Sequence, residues 1–201
     1  AVGAGNVETS QRIVDTVWGA FANALPDLMP AASSGTMNNL LIGGHDARTG
    51  RAFAYYETLG GGHGGGPAGS GESAMQAHMT NTRNTPIESF EHAYPLRVRS
   101  VRIRRGSGGR GQARGGDGIE RTLELLVPTR VTVIADRRAR GPWGLKGGEA
   151  GVPGLTTVTV GKRTRTMPGK FTESLPAGAV LTLSSPGGGG YGSTRKRSRR
   201  A

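Results

Sequence analysis

The stretch MNNLLIGGHDARTGRAFAYYET, residues 37–58, decides the fold of this chain. Two runs rich in apolar and aromatic residues, 37–42 and 52–58, flank two glycines and a polar turn at 45–50. Aromatic and branched side chains favour strands, whereas glycine and aspartate favour turns. The stretch therefore predicts two strands that pair as a β-hairpin.

Upstream of the hairpin, residues 7–25 predict an amphipathic helix. Asn6 is a suitable N-terminal cap, and Pro26 ends the helix. Apolar residues recur at the three-to-four spacing of one helix face: Ile13, Val14, Val17, Trp18, Phe21 and Leu25. We expect Val17, Trp18 and Phe21 to be buried, against the sheet of this chain or against an N-terminal region that is absent from it.

Downstream of the hairpin, most of the sequence has the pattern of strands. Thr85 and Pro86 predict a capped, short helix that ends at about Ala93. The apolar alternation in 96–103 changes phase near Arg99 and Ser100, which predicts a β-bulge. Further strand-like runs occur at 119–127, 130–136, 155–160 and 179–184.

These elements predict an α+β fold. An N-terminal helix with a hairpin and glycine-rich loops is followed by a mostly β C-terminal region. A boundary near Tyr94 divides the chain into 1–94, 95–192 and a basic, disordered tail at 193–201. The loop 60–71 holds eight glycines, and we expect it to be flexible unless a partner orders it.

The composition restricts the class of protein. Glycine accounts for 36 of the 201 residues and hydrophobic residues for 34%, so the core is thin for this length. The absence of cysteine excludes disulfides and thiolate chemistry. No apolar run approaches the roughly 18 to 20 residues that cross a bilayer, and no signal peptide is visible. We therefore expect a soluble, cytoplasmic protein.

The net charge of +12 raises the possibility of nucleic-acid binding. Five of the basic residues lie in the terminal run 195–200, and several others lie on one predicted strand that can simply be solvated. Nucleic acid is therefore not the partner we expect. A basic nucleic-acid-binding module and a catalytically silent interaction module remain as alternatives.

The densest group of polar side chains lies in AHMTNTRNT, residues 77–85. Asparagine and threonine both donate and accept hydrogen bonds, which suits a polar, planar ligand. The alternative is a run of turns before the next helix. We predict that His78 moves a proton and that a group of neighbours orients the substrate: Thr80, Asn81, Thr82 and Asn84.

A second candidate group lies where the hairpin ends. Glu57 precedes the glycine run that contains Gly61, Gly62 and His63, so a carboxylate would stand beside backbone amides that approach an anion. We predict that Glu57 is catalytic and that Gly61, Gly62 and His63 bind the substrate. A hairpin end with a solvated glutamate is the alternative. The four histidines lack metal-ligand spacing, and we predict no metal site in this chain.

Taken together, these segments resemble the hydantoinase B/oxoprolinase family. The N-terminal motifs are GNVETSQR at 5–12, SGTMNN at 34–39, YYET at 55–58, HMTNT at 78–82 and TPIE at 85–88. The C-terminal motifs are SGG at 107–109, RGGDG at 114–118, DR at 136–137, PWG at 142–144 and SPGGGGYG at 185–192. They occur in the family's order and cover nearly the whole chain.

The resemblance implies one component of an ATP-dependent cyclic-amide hydrolase of the hydantoinase or 5-oxoprolinase type. Its partner would be a hydantoinase A-type ATPase, which binds ATP and activates the ring amide. A component of the acetone or acetophenone carboxylase type is the alternative.

Family members are longer, and their divalent metal is expected in an N-terminal hydantoinase B region with no counterpart here. The chain starts at Ala1, so the initiator was removed or an N-terminal part is missing. We expect no bound cofactor and no activity from this chain alone.

Overall fold

Nine strands in two antiparallel sheets form the framework of the protein in the computed structural model, which describes residues 5–194. A π-helical turn, Gly5–Thr9, leads into helix α1, Ser10–Ala24, and helix α2 is Ile87–Ala93. The strands are β1 Asn39–Asp46, β2 Arg51–Glu57, β3 Leu96–Arg104, β4 Gly118–Leu125, β5 Thr129–Ile134, β6 Leu155–Val160, β7 Arg163–Met167, β8 Lys170–Leu175 and β9 Val180–Ser184. The predicted α+β class is confirmed.

The first sheet has the strand order β2-β1-β5-β8. The predicted hairpin is confirmed, because β1 and β2 pair from Leu40 opposite Glu57 to Asp46 opposite Arg51. Strand β1 also pairs with β5, which joins the predicted regions 1–94 and 95–192 in a single sheet. The basic run 195–200 lies outside the described residues.

The second sheet has the order β3-β4-β9-β6-β7. Its register shifts between Val98 and Ser100, which confirms the predicted bulge. Strands β7 and β8 were not predicted from the sequence, because their exposed faces carry charged residues and threonine, and few apolar side chains mark the alternation.

One hydrophobic core joins the two sheets. Alternate residues of the central strands point into it, including Leu40 and Ile42 of β1 and Leu123 and Leu125 of β4. Helix α2 adds Phe90, which is fully buried. The predicted cap of α2 is wrong: Pro86 itself is the N-cap, without a side-chain hydrogen bond.

Helix α1 does not bury the apolar face that the sequence predicts. Its apolar face is exposed, with Val17 at 47%, Trp18 at 39% and Phe21 at 51%, so burial of this face against the sheet is wrong. The buried face carries Gln11 and Asp15. Both side chains bond to neighbouring loops, and those polar contacts fix the helix in this orientation.

The start of α1 also differs from the prediction. Asn6 lies inside the π-helical turn Gly5–Thr9 and is not the cap, since the turn continues directly into α1. Glu8 in the same turn is buried and accepts hydrogen bonds from the Thr36 hydroxyl, the Met37 amide and the Asn39 side chain. Burial raises the pKa of Glu8, and these bonds partly offset the effect.

Phe21→Ala tests the orientation of α1. Because half of the Phe21 side chain is exposed, we expect the free energy of unfolding to fall by no more than about 1 kcal/mol. Urea denaturation measures the change. A loss of about 3–5 kcal/mol, typical for removal of a core phenylalanine, would contradict the exposed position.

The glycine-rich segments are ordered by one another, not by an outside partner. Gly65 donates to the Gly189 carbonyl over 2.9 Å, Gly188 to Gly116 over 2.9 Å and Gly116 to His63 over 2.8 Å. A Cβ atom at Gly62 would overlap the carbonyl of Gly116. Only glycine lets these backbones approach so closely, so the expected flexibility of the loop 60–71 is wrong.

Candidate functional site

A cleft of about 460 Å³ opens beside the buried face of α1. Its polar lining residues come from four parts of the chain: Asp15 of α1, Ser33, His63, and the segment with Gln76, His78, Thr80 and Asn81. Trp18 and Trp143 also line it. Polar groups between two aromatic side chains are typical of a small-molecule site.

His78 lies in this cleft in an uncommon backbone conformation. Its φ of 56° is in the left-handed region, which is uncommon for residues other than glycine, although histidine adopts it more often than most. The side-chain amide of Gln11 holds this conformation from both sides, since it donates to the Ala77 carbonyl and accepts from the Met79 amide, each over 3.0 Å. Strained backbone that its surroundings fix in this way is common at functional sites.

The His78 ring faces Asp15 and Trp18. Its Nε2 atom is 3.8 Å from Asp15 Oδ1, and the ring centre is 5.8 Å from that of Trp18. The distance to Asp15 is too long for a direct hydrogen bond, and Nε2 has no hydrogen-bond partner in residues 5–194. The imidazole therefore has an unused polar atom beside a carboxylate.

Asp15 is held as an anion. It is 4% exposed, and its Oδ2 accepts from Arg12 Nη1 at 2.8 Å and from Arg137 Nη2 at 2.6 Å. Burial raises the pKa of Asp15, but His78, Arg137 and Arg12 together outweigh burial and lower it below the usual value.

The structure brings three more of the predicted residues to the cleft. The Thr80 hydroxyl donates to the Ala77 carbonyl at 2.9 Å, and His63 Nε2 lies 2.9 Å from the Gln76 carbonyl. The exposed Asn81 side chain makes no hydrogen bond within the described part of the chain, so its amide is free to meet a ligand. Thr82 is exposed and does not line the cleft.

Glu57 and Asn84 lie elsewhere, in a buried polar group under the first sheet. Glu57 Oε1 is 3.1 Å from Arg121 Nε, with both side chains 3% exposed, although the two atoms are not aligned as a hydrogen bond. Its Oε2 accepts from the Tyr55 hydroxyl at 2.8 Å and from Asn84 Nδ2 at 3.0 Å. Burial raises the pKa of Glu57, and Arg121 partly offsets the effect. The structure does not bring Glu57 or Asn84 to the cleft.

Gly61 and Gly62 have no free amides for a substrate. The Gly61 amide donates to the Met75 carbonyl at 2.9 Å, and the Gly62 amide donates to the Pro186 carbonyl at 3.0 Å. Both glycines are buried. The expected approach of their backbone to an anion is therefore absent from this structure.

Comparison with known proteins gives the family. The hydantoinase B/oxoprolinase family profile matches residues 1–194. The chain belongs to this family. The 5-oxoprolinase 1 of Arabidopsis thaliana is 44% identical over 194 residues, which make up 96% of this chain and 14% of that protein. Protein MJ0963 of Methanocaldococcus jannaschii, described as uncharacterized, is 44% identical over 196 residues, or 98% of this chain and 34% of that protein.

The fold of this hydantoinase B family chain also matches a solved structure. The ATP-dependent caprolactamase from Pseudomonas jessenii superposes with a TM-score of 0.71 and 25% sequence identity. The match covers 87% of this chain and 32% of the caprolactamase chain. The chain thus spans about a third or less of the length of each of these family relatives.

Three residues of the site in this family chain, Gln11, Asp15 and Gln76, were not predicted from the sequence. The first two stand four residues apart on one helix face, beside Trp18 of the apolar stripe, and that spacing was the available signal. Trp18 was assigned to the core, whereas it lines the cleft together with Trp143.

The divalent metal that the family resemblance implies does not fit here. In residues 5–194 no group of three histidine or acidic side chains is close enough to hold a metal ion. Nor does any helix in that part of the chain have the length and apolar character to cross a membrane.

Proposed function

We propose that this chain is the substrate-orienting part of an ATP-dependent cyclic-amide hydrolase of the hydantoinase or 5-oxoprolinase type. The cleft with His78, Asp15 and Asn81 is the observation that carries the proposal. The family and the 5-oxoprolinase relative support the reaction class. A hydantoinase A-type ATPase and an N-terminal hydantoinase B region would complete the enzyme.

The cleft suits a small lactam ring. The free amide of Asn81 can donate to the ring carbonyl and accept from the ring N–H, without adding a charge. Trp18 and Trp143 offer apolar surfaces for the methylene groups of the ring. Loss of the Asn81 side chain would leave the buried ring amide of the substrate without its hydrogen-bond partner.

His78 would move the proton of the reaction. In the proposed step, water attacks the ring carbonyl carbon that the ATPase partner has activated, and the His78 imidazole accepts a proton from that water. The C–N bond then breaks, and the imidazolium returns the proton to the leaving nitrogen. Asp15, 3.8 Å from Nε2, stabilises the imidazolium between the two transfers.

Lactam binding can be followed without the partners. Both tryptophans of the chain line the cleft, so intrinsic fluorescence reports directly on its occupancy. We expect 5-oxoproline or 2-pyrrolidone to change this fluorescence saturably, and Asn81→Ala to weaken binding about 10-fold because one or two hydrogen bonds are lost.

Asn6→Ala is the matched control, since Asn6 is exposed and lies outside the cleft. It should bind as the unchanged chain does. Equal binding by the Asn81→Ala chain would argue against the orienting role of Asn81. Ring opening should appear only when the N-terminal hydantoinase B region and the ATPase are added, and turnover by this chain alone would contradict the proposed division of labour.

A further inference from the structure

A second groove, of about 670 Å³, concentrates positive charge next to the cleft. It shares no lining residue with the cleft. Five cationic side chains line it with a single carboxylate: Arg12, Arg137, Arg138, Arg140 and Lys170, with Asp136. A groove of this size and sign is suited to an anionic ligand.

The carboxylates nearby do not neutralise all five cations. Asp136 lies 3.8 Å from Arg12 Nε and 3.1 Å from Lys170 Nζ. Arg137 is paired with Asp15 on the cleft side. Two arginines therefore remain without a carboxylate within ion-pair distance in residues 5–194.

Arg138 is the first of these two. Its guanidinium bonds only to neutral acceptors, Asn38 Oδ1 and the Asp136 carbonyl at 3.1 Å each and Thr156 Oγ1 at 3.5 Å. Burial lowers the pKa of Arg138 to about 10, because the nearby charges do not compensate for the lost hydration. An anion in the groove would offset the free-energy cost of removing the Arg138 guanidinium from water.

Arg140 is the second. It is exposed and makes no hydrogen bond or ion pair within the described range. The chain reaches it through Arg137, whose φ of 57° is in the left-handed region that arginine rarely adopts. This turn directs three arginines of one short segment to the same groove, and strain of this kind is often kept where a ligand binds.

We propose that this groove binds a small dianion of the phosphate class, either free phosphate or a phosphate monoester. Arg140 and Lys170 would contact it from the exposed rim, and the half-buried Arg138 would add its charge from within. Guanidinium groups suit phosphate because their fixed, planar donors match its oxygens.

Changes in the amide chemical shifts of the ¹⁵N-labelled full chain, followed by NMR, test the proposal. Inorganic phosphate and methyl phosphate are titrated separately at an ionic strength held constant with sodium chloride, which keeps general screening the same throughout. We expect saturable amide shifts at 136–140 and at 169–170, the residues after Pro168. Saturable binding of either ligand supports the proposal, and the tighter of the two identifies the source of the phosphate group.

Two matched double variants separate the groove from general charge. Arg140→Gln with Lys170→Gln removes two rim cations and should weaken binding about 10-fold or more. Arg51→Gln with Arg163→Gln removes the same charge from exposed positions outside the groove and should change affinity less than about 2-fold. Arg12 and Arg137 stay unchanged, because they also hold Asp15.

Three results would overturn the proposal. The first is an equal loss of affinity in both double variants, which would mean that only net charge matters. The second is a set of shifts that grow linearly with concentration or spread over all basic positions. The third is the absence of shifts at 136–140.

Discussion

Replacing His78 by asparagine is expected to lower turnover about 10²- to 10⁴-fold, in an assembly of this chain with the N-terminal hydantoinase B region and the ATPase partner. Asparagine tolerates the left-handed backbone that His78 adopts, so the fold should survive. It cannot accept and return a proton near neutral pH. The initial rate of lactam-dependent ring opening measures the effect.

His92→Asn is the control for this substitution, because His92 is exposed at the end of α2 and lies outside the cleft. Its turnover should equal that of the unchanged assembly. The thermal midpoint of the His78→Asn chain should stay close to the original, which separates loss of chemistry from loss of structure. Full turnover in that variant would remove His78 from the proposed mechanism.

Replacing Arg121 by methionine is expected to lower the free energy of unfolding by about 3–5 kcal/mol. Glu57, 3% exposed, would lose its ion-pair partner and remain as a buried charge. The substitution also removes a guanidinium that lies 5.2 Å from the centre of the Phe90 ring. Urea denaturation followed by circular dichroism gives the difference.

Two comparisons make this result specific. Arg102→Met breaks an ion pair with Glu120 in which the arginine is 69% exposed, and it should cost less than about 1 kcal/mol. Glu57→Gln combined with Arg121→Met removes both charges and should recover part of the loss. Similar losses of unfolding free energy for Arg102→Met and Arg121→Met would show that the buried Glu57–Arg121 pair stabilises the fold no more than the exposed Arg102–Glu120 pair does.

The Glu57–Arg121 pair also shows why the sequence alone did not predict that Glu57 lies away from the cleft. From the sequence, Glu57 ends a strand before a glycine run, and nothing local distinguishes a solvated or catalytic carboxylate from a buried one. Its partner lies on β4, which the chain reaches only after α2 and β3. Burial of Glu57 depends on that distant arginine, so no local pattern predicts it.

The sequence by itself determined the elements whose signal is local. The hairpin at 37–58, the bulge at Val98 and Ser100, and the strands β4, β5, β6 and β9 follow from alternation and turn residues within a few positions. The polar segment 77–85 was found in the same way, and His78, Thr80 and Asn81 from it do line the cleft.

The tertiary structure decided which face of α1 is buried and what faces His78. An amphipathic pattern gives the direction of the apolar stripe, but the partners of Gln11 and Asp15 lie far along the chain, with Arg137 separated from Asp15 by 122 positions. The glycine segments are likewise ordered by hydrogen bonds to other glycine segments, such as Gly65 to Gly189. The buried face of α1 and the packing of the glycine segments both depend on hydrogen bonds between groups that are far apart in the sequence. Those bonds form only when the whole chain is packed and its buried polar atoms are satisfied together.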